Sequence, residues 1–202
     1  MKDKKLLLIT SLVCLIPSVA GAVFYSQLPE LMPVQWRING QVSNQAPKWF
    51  AVFGLPVFFA LFNIYCHNKT DRDSTERDYP LVMVLFLKWV MPALSVVCTC
   101  LSISAALGYS GAYIGIISFL GILFAVVGAI LPNTKRNALF GIRLPWTMKD
   151  DESWEKANKF SGKVFLLGGI LIIACAALGK TYIAFGVILA VAVISIAGSL
   201  RK

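Results

Sequence analysis

Six long apolar runs leave this chain few folds to choose from. They cover residues 6–25, 49–66, 81–107, 113–131, 164–178 and 182–200. A helix rising 1.5 Å per residue needs about 20 residues to cross about 30 Å of hydrocarbon. In lipid every backbone N–H and C=O must find its partner inside the protein, so only helices or a closed barrel can span. The runs show no polar–apolar alternation, which excludes the barrel. Composition agrees. Of 202 residues 57% are hydrophobic, and mean hydropathy is +0.73. A soluble domain of this length has too little interior to hide that much apolar surface. The fold class is therefore all-α: a polytopic membrane bundle of six transmembrane helices.

The net charge of +9 would suggest nucleic acid in a soluble protein. Here the loops account for it. Lys and Arg number three in residues 1–5, three in 67–79, seven in 133–163 and two in 201–202, fifteen together, against Arg37, Lys48 and Lys180 on the other side. The positive-inside rule then sets both termini in the cytoplasm, with no direct nucleic-acid binding required. Residues 1–107 form a first membrane segment (spans one to three). Residues 108–202 form a second (spans four to six), with a cytoplasmic loop at 132–163. Two alternatives stay open. The basic start and Ala20-Gly21-Ala22 also fit a signal peptide, and the last two runs, joined at Gly179-Lys180-Thr181, fit a re-entrant unit.

Within the spans the signals are sparse. The five cysteines lie in or at the end of apolar runs without metal-ligand spacing and read as small core residues. No HExxH, Walker A, GxSxG or dinucleotide fingerprint appears, so neither enzyme, cofactor nor metal is expected. Pro56 and Pro92 read as kinks. Lys88 is the one charge well inside a run. It lies about 12 Å from the start of its helix, and with no intramembrane acid to pair with, it reads as snorkelling to the inner face.

Two polar stretches are too particular to be generic loops. The outer one, 26–48, contains LPELMPVQWRINGQ: Pro29 and Pro33, then Gln35-Trp36-Arg37, then a turn at Asn39-Gly40. Prolines hold it extended at low entropic cost, a form suited to meeting an external peptide. The inner one, 133–163, centres on Asn137, Phe140, Gly141, Arg143, Pro145, Trp146 and Thr147. Gly141 permits a backbone shape other residues resist. Trp146 can anchor at headgroup level, and Arg143 is a fixed donor for a protein partner or a lipid phosphate. Thr147 with Asp150 reads as a capping box. It opens a short interfacial helix between spans four and five, supported by Glu152–Lys156 and Glu155–Lys159 pairs, with Trp154, Ala157, Phe160 and Ser161 on one face.

Together the two stretches carry a resemblance. The outer one resembles the "LP…P…W…G" signature of the DUF1648 segment. The inner NALFGIRLPWTMKDDESWEKANKFSGK resembles the "N…GIRTPWT…W…H.F.G" signature of the SdpI family of bacterial membrane immunity proteins. The resemblance implies a multi-pass protein of the bacterial cytoplasmic membrane that gives resistance to a secreted SdpC-like peptide toxin. It also implies signalling, by holding a cytoplasmic SdpR-like autorepressor at the membrane. Carried over by position, Asn137, Gly141, Arg143, Pro145, Trp146, Thr147 and Trp154 match inside and, with Phe140 beside them, make up the partner-binding inner set. Pro29, Pro33, Trp36 and Gly40 match outside and, with their neighbours Gln35 and Arg37, make up the toxin-facing outer set, and membrane lipids surround both. Gln35 and Asn158 stand where the family commonly has His, and Leu144 where it commonly has Thr; a role needing an imidazole is not expected at those positions. The alternative function is a small membrane transporter or lipid-handling protein with a cavity lined by Lys88 and the inner loop; a structural subunit of a larger complex is a third.

Overall fold

The computed structural model describes residues 3–76 and 79–200. Lys2, Arg77, Arg201 and Lys202, counted in the charge asymmetry, lie outside the described residues. Six helices are long and apolar enough to cross a membrane. They are α1 (Lys4–Val23), α2 (Leu55–Glu76, entered through a π-helical turn at Phe50–Gly54), α3 (Leu81–Ala106), α4 (Ala112–Ile130), α5 (Asp151–Ala177) and α6 (Thr181–Ser199). Their outer faces carry Leu, Ile, Val and Phe left open to lipid. The chain forms two compact units, Met1–Ile116 and Ile117–Lys202, divided within α4.

In the first unit α1, α2 and α3 pack on one another. Asp3 caps α1, its carboxylate accepting from the Leu6 N–H at 3.0 Å. Pro56 has no N–H to offer the preceding turn, and the widened π turn lies directly ahead of it. Lipid inverts the usual helix pattern. α3 buries Lys88, Ser95, Thr99 and Ser102 along one stripe, because outward-facing polar groups would meet hydrocarbon. Polar groups join the helices: Asn63 Nδ2 donates to Thr10 Oγ1 at 3.0 Å, and Ser95 Oγ to the Cys14 carbonyl at 2.7 Å.

Two expectations are corrected in this unit. Residues 67–76, read as loop, continue α2 as helix. That extension carries Asp71 to α3, where its Oδ1 lies 2.5 Å from Lys88 Nζ with both side chains buried. Lys88 does not snorkel; it is paired. Asp71 lies beyond the end of its apolar run, and only the helix brings it back beside α3. The second correction concerns the outer stretch. It is extended, as its prolines imply, but forms a two-stranded antiparallel hairpin, β1 (Leu31–Trp36) with β2 (Val42–Pro47), in an otherwise helical fold.

In the second unit α4, α5 and α6 pack through small residues. A Cβ on Gly128 would sit 2.3 Å from the Leu166 nitrogen, and one on Gly169 would sit 2.4 Å from the Ala125 nitrogen. Backbone therefore meets backbone along α4 and α5. α5 and α6 form a helical hairpin turned at Gly179 (φ 66°), each of the two helices long and apolar enough to cross a membrane. The short interfacial helix read at 150–163 has no separate existence. α5 runs unbroken from Asp151 to Ala177, since no proline or strained turn at Lys163 stops a helix already started.

Candidate functional site

The outer hairpin is held at both ends. At its base Leu28 and Met32 pack with Ala51, Val52 and Ile103. Ser102 Oγ donates to the Pro33 carbonyl at 2.6 Å, and Lys48 pairs with Glu30 at 2.8 Å. At its tip Gly40 takes a φ of 81° and its N–H donates to the Arg37 carbonyl. The turn lies on Tyr113, whose hydroxyl donates to the Ile38 carbonyl at 2.6 Å; a Cβ on Gly40 would sit 3.0 Å from that ring. Pro33 falls in a two-stranded sheet where its missing N–H costs little. The register slips between Pro33 and Gln35 and again between Gln35 and Trp36, the mark of a bulge that re-aims side chains. Pro29, Gln35 and Arg37 are exposed, Trp36 and Gly40 half-buried, and Pro33 buried.

The inner stretch folds around two side chains of α5. Trp154 is 1% exposed, and its indole N–H donates to the Thr134 carbonyl at 2.7 Å. One turn on, Asn158 accepts from the Ile142 N–H at 2.8 Å and donates to the Trp154 carbonyl at 2.9 Å. Gly141 passes over this pair with φ 131°; a Cβ there would sit 2.6 Å from the Trp154 ring. Only glycine tolerates both the conformation and the approach.

Asn137 organises the turn before it. Its amide donates to the Lys135 and Phe140 carbonyls at 2.8 and 2.9 Å, and its oxygen accepts from the Leu139 and Phe140 N–H groups at 2.8 and 2.7 Å. That uses its whole hydrogen-bonding capacity. Thr147 does the same for the next turn. Its hydroxyl accepts from the Leu144 N–H at 2.9 Å and donates to the Ile142 carbonyl at 2.6 Å. Thr147 is thus no capping-box partner. Asp150 caps α5 alone, accepting from the Ser153 N–H at 2.7 Å. That N–H and the Ser153 hydroxyl hold the Asp150 carboxyl below its ordinary range. Trp146 donates to Ser199 Oγ at 3.0 Å, fastening the loop to the end of α6. Arg136 bonds the Met148 carbonyl and pairs with Asp151 at 2.8 Å. Glu152–Lys156 and Glu155–Lys159 pair as their spacing implies. Arg143 and Pro145 are exposed and take no part in these bonds.

The sequence that builds these two stretches has counterparts among known proteins. Residues 133–199, from the Trp154-centred loop to the end of α6, match the model of the SdpI/YfhL protein family. Residues 12–60, containing the hairpin, match the domain of unknown function DUF1648. The chain resembles SdpI/YfhL-family proteins in its second half. It is similar to the Immunity protein SdpI of Bacillus subtilis (strain 168), at 29% identity over 171 residues, covering 84% of this chain and 80% of that protein. No solved structure matches.

With six apolar helices and this likeness, the chain is a multi-pass protein of the bacterial membrane. Within its inner set Asn137, Thr147 and Trp154 are buried and shape the loop from inside. Arg143, Pro145 and Trp146 are on the surface, with Phe140 and Gly141 half-buried. Thr134 and Asn158 complete the Trp154 clamp, and the sequence marks Asn158 only as a departure from the family pattern. The signal for Asn158 was available: it lies four residues beyond Trp154, on the same helix face. Among the described residues no group of three or more His, Cys, Asp or Glu side chains could hold a metal ion.

Proposed function

We propose that this protein is a membrane immunity protein, protecting its cell from a secreted, SdpC-like peptide toxin met at the hairpin. The single observation that carries the reading is the likeness to Immunity protein SdpI, because it extends over 84% of the chain and so takes in the hairpin as well as the Trp154-centred loop. The hairpin's form supports it. An anchored, extended ribbon offers Gln35, Trp36 and Arg37 to an outside ligand with little further ordering to be done. On the cytoplasmic side, Phe140, Arg143, Pro145 and Trp146 are the residues available to dock an SdpR-like repressor, set on a loop already fixed from within. The two events are linked by a population shift: toxin favours one arrangement of the helices, and that arrangement holds the repressor better.

The test is a resistance assay against an SdpC-like toxin. Cells expressing the protein are expected to survive concentrations that kill cells without it. Trp36→Ala is expected to lose protection. Arg143→Ala is expected to keep protection while losing induction of a repressor-controlled reporter. Equal killing with and without the wild-type protein would overturn the reading.

A further inference from the structure

Deep in the first unit lie three ionisable side chains that the immunity reading does not use. His67 is 1% exposed, and its ring nitrogens make no close hydrogen bond, with the Asp3 backbone the nearest main-chain group acting on the ring. Its Nε2 lies 3.7 Å from Asp71 Oδ2, while the other oxygen of that carboxylate holds Lys88 at 2.5 Å. Burying an imidazole with poorly matched nitrogens is costly. A neutral ring has a single N–H to set toward Asp71, whereas a protonated ring has two, and its charge then lies beside that carboxylate.

We propose that His67, Asp71 and Lys88 form a proton-binding site, reached through a cavity between α1 and α2. The cavity, about 600 Å³, is lined by the apolar Leu7, Leu8 and Ile64 and by the polar Asp3, Asn68 and Asp71 among others, its surface mostly apolar. Asp71 thus belongs to the cavity wall and to the buried cluster at once, so water that enters reaches the one group touching both partners. A hydronium ion in the cavity gives its proton to His67 Nε2: one O–H bond breaks, one N–H bond forms, and neutral water is left. The new N–H faces Asp71 Oδ2 as an ion pair, and Asp71 Oδ1 keeps Lys88. No electron is transferred.

The charge balance gives the site its consequence. Lys88 and Asp71 cancel, so the empty site is neutral and the loaded site carries one positive charge. The charged groups facing the ring come from every element packed against it: Asp71 on its own helix, Lys88 on α3 and Asp3 at the head of α1. Lys88 opposes loading, whereas the two carboxylates favour it. Asp3 caps α1, so loading draws on the group that fixes the start of that helix. The first unit is in this way sensitive to proton concentration on the side where α1 begins, whether or not the chain confers immunity.

His67 is the chain's single histidine, so 15N-imidazole NMR of the full chain in phospholipid nanodiscs reads this site alone. The ring is expected to take up one proton between roughly pH 5 and pH 8, with amide signals of α1 and α2 moving at the same midpoint. Asp71→Asn, which removes the accepting carboxylate, is expected to make loading harder. Lys88→Met, which removes the opposing ammonium, is expected to make it easier. Each should move the midpoint by about one pH unit or more, in opposite senses. A ring that stays neutral across the range, or a midpoint that neither variant moves, overturns the site. Should Asp71→Asn fail to reconstitute, the wild-type titration and Lys88→Met decide the matter without it.

Discussion

Asn137 shows how much of a loop can depend on one side chain. Four backbone groups of residues 135–140 have it as their partner, and the side chain is fully buried. Replacing it with alanine leaves those groups to find water or go unpaired, at about 1–3 kcal/mol for each one that stays buried. Asn137→Ala is therefore expected to lower the melting temperature in detergent clearly. Asn137→Asp, which keeps both acceptor bonds and loses both donors, should fall between the two. Equal melting of all three would show that the loop holds itself together without this cage. Trp154 belongs to the same class. Its indole is an internal post for the Thr134 carbonyl and the Gly141 backbone, not a surface offered to a partner.

At the scale of elements, α4 and α5 are joined by the absence of side chains. Gly128→Leu places a branched group where 2.3 Å separates an added Cβ from the Leu166 nitrogen. The helices must part, and overpacking of this kind costs about 1–3 kcal/mol or more. A lowered melting temperature, with faster hydrogen exchange in α4 and α5, is the expected result. α5 also carries a pH-dependent end. The Asp150 carboxyl titrates below its ordinary range because Ser153 bonds its charged form. A depressed folded-state value means that the cap's contribution is complete above the unfolded-state value and fades as pH falls through the folded one. Protection of the first-turn amides of α5, taken relative to their intrinsic exchange rates at each pH, should therefore fall at acid pH in the wild type. In Asp150→Ala it should be low throughout, with no acid step at that turn.

At the scale of the molecule the charge asymmetry and the six spans make one prediction. In a cysteine-free background, a membrane-impermeant thiol reagent should label Gln35→Cys from outside intact cells and Arg143→Cys only after the membrane is opened. Labelling of both from one side would refute the topology. The number of spans, the extended outer stretch, the turns at Asn39-Gly40 and Gly179, and the helix pairs Glu152–Lys156 and Glu155–Lys159 are all local properties. Each follows from hydropathy, backbone conformation or i,i+4 spacing along a continuous segment, and each was legible in the order of residues. Three features were not. Lys88 was assigned to the membrane surface because its partner, Asp71, lies 17 positions earlier in the chain, beyond the end of an apolar run. Asn158 was missed as the clamp on Ile142, and the charged start of α5 was taken for a helix of its own. In each case the outcome depends on which groups two separate helices, or a helix and a loop, bring within bonding distance. Lipid decides from the sequence alone that these segments must be helical, since no other form satisfies the backbone in hydrocarbon. Which buried polar groups then find one another is decided by packing, because the cost of leaving one unpaired depends on neighbours that residue order does not name.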